Sequence, residues 1–494
     1  MAHTVPTTSS TSSTRDTRWL ALYVLCTGML MIVLDMTIVN VALPAIQSDL
    51  GFTQTGLAWV VNAYLIAFGG LLLLAGRLGD LVGRKRVFLI GLGVFTVASV
   101  LCGASTSAAM LIISRFVQGV GGAMATAVTL GMIVTMFPEQ REQTKAIGVF
   151  SFVAAAGASV GLLLGGVLTQ SLNWHWIFFV NIPIGIAAAL LTARLVPSDR
   201  GIGFGRGADV LGAFLVTASL MLLVYTIVKT EEHGWGSAHT LGLGALAIVL
   251  LIGFIVRQFR AANPLLPMRI FKSRNVAGGN LIQIMMVAGM FGMFFLGTLY
   301  MQKVLGYDAL EIGLAFLPTA VAIGGLSVGL SARLITRFGA RPVLVTGLSL
   351  ALVGLLLFTR TPVDGEFLAD VLAPVLLVGL GMGLAFPSLM TLAMSGATQS
   401  DAGLASGLVN TTAQVGGALG LAVLATLATG RTTALLAEGN PVPAALTGGF
   451  HLAFWIGAGL LAVGITLGVF LLQSKPAMHA EEEPAAEEPV LDAA

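Results

Sequence analysis

Long apolar stretches separated by short polar turns recur from one end of this chain to the other. A helix needs about 20 apolar residues to cross the hydrocarbon core of a bilayer. Fourteen such stretches are legible, at 19–42, 55–76, 87–105, 108–136, 145–169, 175–196, 209–229, 240–257, 276–302, 312–333, 343–360, 368–395, 402–430 and 448–472. The runs are continuous, whereas strands of a transmembrane barrel would alternate apolar and polar residues. The run after Trp19 is too long for a signal-peptide core and no cleavage site follows it, so it reads as a permanent helix. The pattern predicts an all-α polytopic membrane protein.

Composition agrees. Of 494 residues, 56% are hydrophobic and 10% charged, with a mean hydropathy of +0.94, whereas soluble domains carry roughly 25% charged residues. The 62 glycines fit a fold in which helix backbones approach closely in lipid. The net charge of +2 is spread over opposing loop charges, and no nucleic-acid partner is expected. Cys26 and Cys102 fall inside apolar runs and read as small core residues. The six histidines show no metal-ligand spacing, no nucleophile constellation appears, and no Walker motif is present. An enzyme, a metal site, a cofactor and an ATP-driven pump are therefore not expected. Residues 1–18, rich in Ser and Thr, and the acidic stretch 473–494 are compositionally suited to disorder.

Basic residues orient the helices. With the amino terminus in the cytoplasm, 20 of the 25 Lys and Arg fall on the cytoplasmic side, among them Arg77, Arg84, Lys85, Arg86, Arg257, Arg333 and Arg341; Lys229, Lys303, Arg360 and Arg431 fall outside. Both termini are then cytoplasmic. The chain is also doubled. The stretch Gly76 to Arg86 (GRLGDLVGRKR) returns as Ala332 to Pro342 (ARLITRFGARP), so that Arg77, Leu78 and Gly83 reappear as Arg333, Leu334 and Gly339 and Lys85 is matched by Arg341. Gly157 and Gly161 map on Gly416 and Gly420 in the same way. The expected organisation is a tail at 1–18, a six-helix bundle at 19–196, a linker with two inserted helices at 197–275, a second six-helix bundle at 276–472 and a tail at 473–494. Parallel six-helix repeats characterise one large transporter architecture.

Asp35 is the one carboxylate deep in a span, and Arg115 the one basic residue. Such a charge costs about 2.5–3.5 kcal/mol on insertion scales, so these residues usually face the bundle interior and act there. Asp35 is read as a proton site or cation-substrate contact, against a purely structural polar contact. Arg115 either braces the bundle or takes part in coupling. Asn40, Asn62, Tyr64, Gln283, Asn410 and Gln414 add polarity within spans, and Met286, Met290 and Phe294 recur at helical spacing. Together they are candidate linings of a substrate cavity, although a Met/Phe stripe is more often core packing.

These residues resemble the major facilitator superfamily, and specifically its fourteen-helix drug:proton antiporters of the QacA/EmrB type, over about residues 19–472. GRLGDLVGRKR resembles the signature loop between helices 2 and 3, with Gly76, Asp80, Gly83, Arg84 and Lys85 in place; the resemblance implies a gate and conformational latch there. LDMTIVNVALP (Leu34 to Pro44) is similar to the helix 1 motif, and RFVQGVGGA (Arg115 to Ala123) to the helix 4 motif, which implies proton coupling through Asp35 and Arg115. WHWIFFVNIPIG (Trp174 to Gly185) resembles the entry to helix 6. GASVGLLLGG resembles the helix 5 antiporter motif, with Gly157, Gly161, Gly165 and Gly166 in place but Leu162 where proline is usual.

The resemblance implies the major facilitator fold in a plasma or inner membrane. The implied activity is proton-driven export of small amphipathic organic compounds, cations included, by alternating access; protons, the substrate and the bilayer are the implied partners. The same motifs would also serve a dedicated exporter or importer of one metabolite. A receptor without transport would not need the gate loop.

Overall fold

The computed structural model describes residues 11–199, 201, 203, 209–395 and 402–473. Sixteen α-helices follow one another among them: α1 (Thr11–Leu50), α2 (Gln54–Val82), α3 (Arg84–Gly103), α4 (Ala108–Met136), α5 (Gln140–Ser171), α6 (Trp176–Phe179), α7 (Asn181–Leu195), α8 (Val210–His233), α9 (Ala238–Arg260), α10 (Arg274–Lys303), α11 (Ala309–Gly325), α12 (Ser331–Phe338), α13 (Ala340–Phe358), α14 (Leu372–Ser395), α15 (Ala402–Ala437) and α16 (Val442–Phe470). A π turn, Leu326–Leu330, joins α11 to α12, and another, Phe367–Val371, leads into α14. Residues 11–18, expected as part of a tail, continue α1. Within a helix their backbone groups bond one another, whatever the side chains. The rest of that tail and residues 474–494 lie outside the described residues.

Polar residues set the starts of these helices. Thr53, Ser107, Asp209, Ser237 and Ser273 each accept a backbone N–H of the following turn. Asp308 and Glu311 form a reciprocal capping box at α11. At the α2–α3 and α12–α13 turns, Gly83 (φ 111°) and Gly339 (φ 84°) occupy the left-handed region. A β-carbon is disfavoured there, so both copies of the repeated stretch keep their glycine.

Twelve helical segments among the described residues are long and apolar enough to cross a membrane by length and composition. The other two expected spans are shorter in this sense. Among the described residues the apolar segment in α5 is Val160–Ser171 and that in α11 is Ala309–Gly325, before the π turn that divides α11 from α12. The architecture is an all-α polytopic membrane fold.

Small residues decide which helices touch, because without a hydrophobic drive between them in lipid they associate by close packing. The same contacts occur twice. A β-carbon at Gly91 of α3 would lie 2.9 Å from the Gly121 carbonyl of α4, and one at Gly347 of α13 would lie 2.6 Å from the Gly381 carbonyl of α14. Gly119 of α4 rests on the Tyr64 carbonyl of α2, as Gly379 of α14 rests on the Thr319 carbonyl of α11. Likewise α1 packs on α5 and α10 on α15. The pairings among α1–α5 thus recur among α10–α15.

The two repeats meet along two seams, α2 against α15 and α5 against α11. Helix α8 lies beside the first, with Thr217 against Gly70 of α2 and Ile227 near Thr426 of α15. Helix α9 rests on α8 and turns Leu241, Ile248, Val249, Ile252 and Phe259 outward, a surface suited to lipid. The pair is tied at one end by Asp209, which accepts from Arg257 (2.7 Å) and Gln258 (2.9 Å). Burial by itself raises the Asp209 carboxyl; the bonds from Arg257, the Gly212 N–H and Gln258 outweigh it and hold the group below its ordinary value. Arg18 of α1 reaches the Met136 carbonyl at the end of α4, and Arg341 reaches the end of α16. The start of α1 and the end of α16 therefore share the end of the molecule that carries the α2–α3 turn.

Candidate functional site

Arg115 of α4 and Asp35 of α1 form a buried ion pair. Arg115 donates from Nη1 to Asp35 Oδ2 (2.6 Å) and to Gln118 Oε1 (2.6 Å), and from Nε to the Val60 carbonyl (3.0 Å). Asp35 Oδ1 accepts from Gln118 Nε2 (2.8 Å) and Asn181 Nδ2 (2.9 Å), and Gln118 also donates to Ser99 Oγ (2.7 Å). The Tyr64 ring lies 4.4 Å from the guanidinium carbon and that of Phe178 5.7 Å, within cation–π range. Asp35 is 0% and Arg115 1% exposed. Losing one partner of such a sealed pair costs about 3–5 kcal/mol, since it leaves a buried charge uncompensated.

The repeated loop holds the other concentration of charge. Asp80 pairs with Arg84 (3.1 Å), whose Nη1 also reaches the Gly131 carbonyl (3.1 Å) and Thr135 Oγ1 (3.0 Å) of α4. Lys85 donates to the carbonyls of Ala193 (2.9 Å) and Val196 (2.7 Å) at the end of α7. Its counterpart Arg341 donates to the carbonyls of Gly468 (3.1 Å) and Val469 at the end of α16. The matched basic residue thus caps the last helix of each repeat, where unpaired carbonyls and the helix dipole favour a cation. Asp199 accepts the N–H groups of Arg84 (2.6 Å) and Lys85 (3.1 Å) at the start of α3. Gly76 faces Ala127 of α4 at ordinary contact distance.

Three glycines of the helix 5 motif form the face of α5 that meets α1. Gly157 lies against Leu30 and Val33; Gly161 lies against Thr37 and the Leu34 carbonyl; Gly165 lies against the Ile38 carbonyl. Gly166 turns the other way, where a β-carbon would be 2.9 Å from the Ala309 carbonyl of α11. Leu162, in the place of the usual proline, is buried, and its carbonyl meets Gly313 of α11. At the far end of this seam Gln170 donates to Asp308 (3.1 Å). A cavity of about 330 Å³ opens there, bordered by Pro44, Thr169, Gln170, Gln302 and Ile312.

The candidate cavity residues are divided by the fold. Tyr64 turns toward α4, with its hydroxyl beside Gly122, and belongs to the Asp35–Arg115 cluster. Asn40 donates to the Met36 carbonyl of its own helix (3.2 Å). Met286 and Gln283 are buried, and Phe294 lies 5.0 Å from the Phe316 ring. Met290 and Gln414 are half-buried and Asn410 is exposed. Asn62 is fully buried, and neither atom of its amide has a hydrogen-bond partner among the described residues.

Gln118, Ser99, Asn181 and Asp199 were not singled out by sequence reasoning. Gln118 sits three residues after Arg115, on the same helix face, and that spacing was a usable signal. Asn181 in an apolar run was a weaker one. Ser99 and Asp199 gave none, since each is ordinary until the partner helix arrives.

The sequence matches the Major Facilitator Superfamily over residues 25–421. It is 39% identical over 457 residues to a puromycin resistance protein, pur8, of Streptomyces alboniger, covering 92% of this chain and 90% of that one. It is 40% identical over 433 residues to a cephamycin export protein, CmcT, of Amycolatopsis lactamdurans, covering 87% and 89%. Among solved structures, a bacterial homologue of the human lysosomal transporter spinster, inward-facing and unoccupied, gives a TM-score of 0.65 at 15% identity, covering 92% of this chain and 96% of that one. That last likeness concerns the fold.

Proposed function

Because the chain belongs to the major facilitator superfamily, whose members transport rather than catalyse, we propose that it is a proton-coupled exporter of small amphipathic organic compounds in the fourteen-helix drug:proton antiporter group. The observation that carries this reading is the Asp35–Arg115 pair. Its carboxylate is fully shielded, and its hydrogen-bond partners Arg115, Gln118 and Asn181 all lie within residues 19–196. That arrangement suits a proton-responsive element better than a substrate ligand. The names of the relatives, one for puromycin resistance and one for cephamycin export, support export as the direction.

In this reading α5 and the jointed α11–α12 complete the fourteen spans. Residues 19–196 and 276–472 are the moving bundles, and α8 and α9 an inserted pair within 197–275. The end bearing Arg84, Lys85, Arg257 and Arg341 is cytoplasmic, as are both termini, in a plasma or inner membrane. Protonation of Asp35 from outside loosens Arg115 and favours substrate release there; loss of the proton to the cytoplasm restores the pair and the binding state. Each inward proton supplies about 2.3 kcal/mol per 100 mV. Gly76, Asp80, Gly83, Arg84 and Lys85 form the latch on the cytoplasmic side. Gly157, Gly161 and Gly165 let α5 follow α1, and Gly166 lets it meet α11. Asn40, Asn62, Gln283, Met286, Met290, Phe294, Asn410 and Gln414 serve the substrate path, Tyr64 through the ion-pair cluster.

The test is reconstitution of the purified protein in vesicles, an imposed pH gradient, and a panel of dyes and antibiotics. Gradient-dependent accumulation of several compounds is expected. Movement of a single compound in the panel would instead favour a dedicated exporter, a reading that the single-compound names of both relatives keep in view.

A further inference from the structure

The α2/α15 seam carries polar groups that no protein atom answers. On α2, Asn62, Leu65 and Gly69 share one face, being three and seven residues apart. Leu65 touches Gly417 of α15, and a β-carbon at Gly69 would lie 2.7 Å from Gln414 Cβ and 3.4 Å from the Thr411 carbonyl. Both amide atoms of Asn62, the Gln414 Oε1 and the Thr411 Oγ1 are shielded from solvent, with no hydrogen-bond partner among the described residues. Leaving such groups unpaired costs roughly as much as a lost hydrogen bond each, so the seam is built for something that pairs with them. Two helical turns separate Asn62 from the Gly69–Gln414 contact, roughly 10 Å. Between them the wall is apolar, with Leu65 of α2 and Phe291 of α10 both lying against Gly417.

No unbalanced charge is near to recognise a cation. Four charged side chains are buried among the described residues, and each has an opposite partner: Asp35 with Arg115, Glu142 with Arg18, and Asp209 with Arg257. The carboxylate expected to attract a cationic substrate is thus already taken.

We propose that the α2/α15 seam binds an uncharged amphipath, hydrogen-bonded by Asn62 at one end and by Thr411 and Gln414 at the other, rather than an organic cation. The inference rests on the transporter reading above and names its substrate class.

The experiment is equilibrium binding to the purified full-length protein in detergent, which needs no gradient and so stands or falls separately from proton coupling. Uncharged probes bearing amide and hydroxyl groups, chloramphenicol and a series of neutral N-acyl anilides, are compared with tetraphenylphosphonium and ethidium. At least one uncharged probe is expected to bind about tenfold more tightly than either cation. Asn62→Leu and Gln414→Leu should each weaken it about five- to tenfold, the worth of one hydrogen bond. Asn62→Leu should also raise the thermal unfolding temperature, since it removes a buried unpaired amide; a merely structural asparagine would lose stability instead. Asn62→Asp should shift preference toward the cations. Tighter binding of a cation than of every uncharged probe, no binding of any uncharged probe, or unchanged affinity in both leucine variants overturns the proposal.

Discussion

Asp35→Asn removes the carboxylate charge that faces Arg115 while keeping side-chain volume. In the wild-type protein Asp35 accepts three hydrogen bonds, at 2.6, 2.8 and 2.9 Å, from Arg115, Gln118 and Asn181. An amide there offers one acceptor in place of two and presents a donor to donors. Arg115, 1% exposed, is left as a buried cation with the Val60 carbonyl, Gln118 Oε1 and the Tyr64 face as its remaining support. The expected loss is about 3–5 kcal/mol of stability. Arg115→Gln on top of Asp35→Asn removes the stranded charge, so the double variant should be more stable than the single one. Transport separates the two roles. With one fewer coupled proton at 100 mV, the substrate gradient the protein sustains falls about forty-fold, and neither variant should show substrate-dependent proton movement. The assay is proton flux in vesicles containing variant protein, beside thermal unfolding of the same preparations. Proton-coupled transport that survives in Asp35→Asn would refute the coupling role. An Asp35→Asn protein as stable as wild type would refute the energetic account of the pair.

Gly161→Ala places a methyl on Thr37 and the Leu34 carbonyl; it should cost about 1–3 kcal/mol and much of the transport, and Thr37→Ala should restore part of both, as read by unfolding temperature and uptake. Gln170→Leu breaks the bond to Asp308 across the α5/α11 seam. At about 0.5–1.5 kcal/mol it should raise labelling of a cysteine placed at Thr169 by a membrane-impermeant maleimide two- to about tenfold, whereas unchanged labelling would remove this contact from the closure of that end. The Asp209 carboxyl is held below its ordinary value, so the stability it contributes is full above the unfolded carboxylate value and is lost as pH falls through the lowered folded value. Asp209→Ala should therefore flatten the acid limb of the unfolding curve below about pH 4, and an unaltered acid limb would assign that loss elsewhere.

Much of the candidate site was legible in particular residues. A carboxylate and a guanidinium in apolar runs stand out because the bilayer makes them costly, so Asp35 and Arg115 were found without any contact being known. Lys85 and Arg341 were matched by spacing, and the structure adds the shared task, the capping of α7 and α16. Asn181 and Ser99 join Asp35 only through the crossing of α1, α3, α4 and α7, and no periodicity within one helix reports a crossing between helices. Tyr64 shows the converse: its place in α2 was plain from the sequence, but the face it turns, toward Arg115 rather than the second repeat, depends on where α4 lies.

Hydropathy and charge distribution determined by themselves that this is a helical membrane protein, and the echo of Gly76–Arg86 at Ala332–Pro342 pointed to a doubled plan. These are properties of single segments facing lipid or water, and a segment's own composition settles them. Tertiary structure decided which polar groups are answered and which are not. Asp35 is saturated by Arg115, Gln118 and Asn181, whereas Asn62 of α2 and Thr411 and Gln414 of α15 keep shielded polar atoms without a hydrogen-bond partner among the described residues. Pairing of a buried polar group is a relation between two helices, set by the small residues at Gly69, Gly119, Gly161 and Gly417 that allow their backbones to approach.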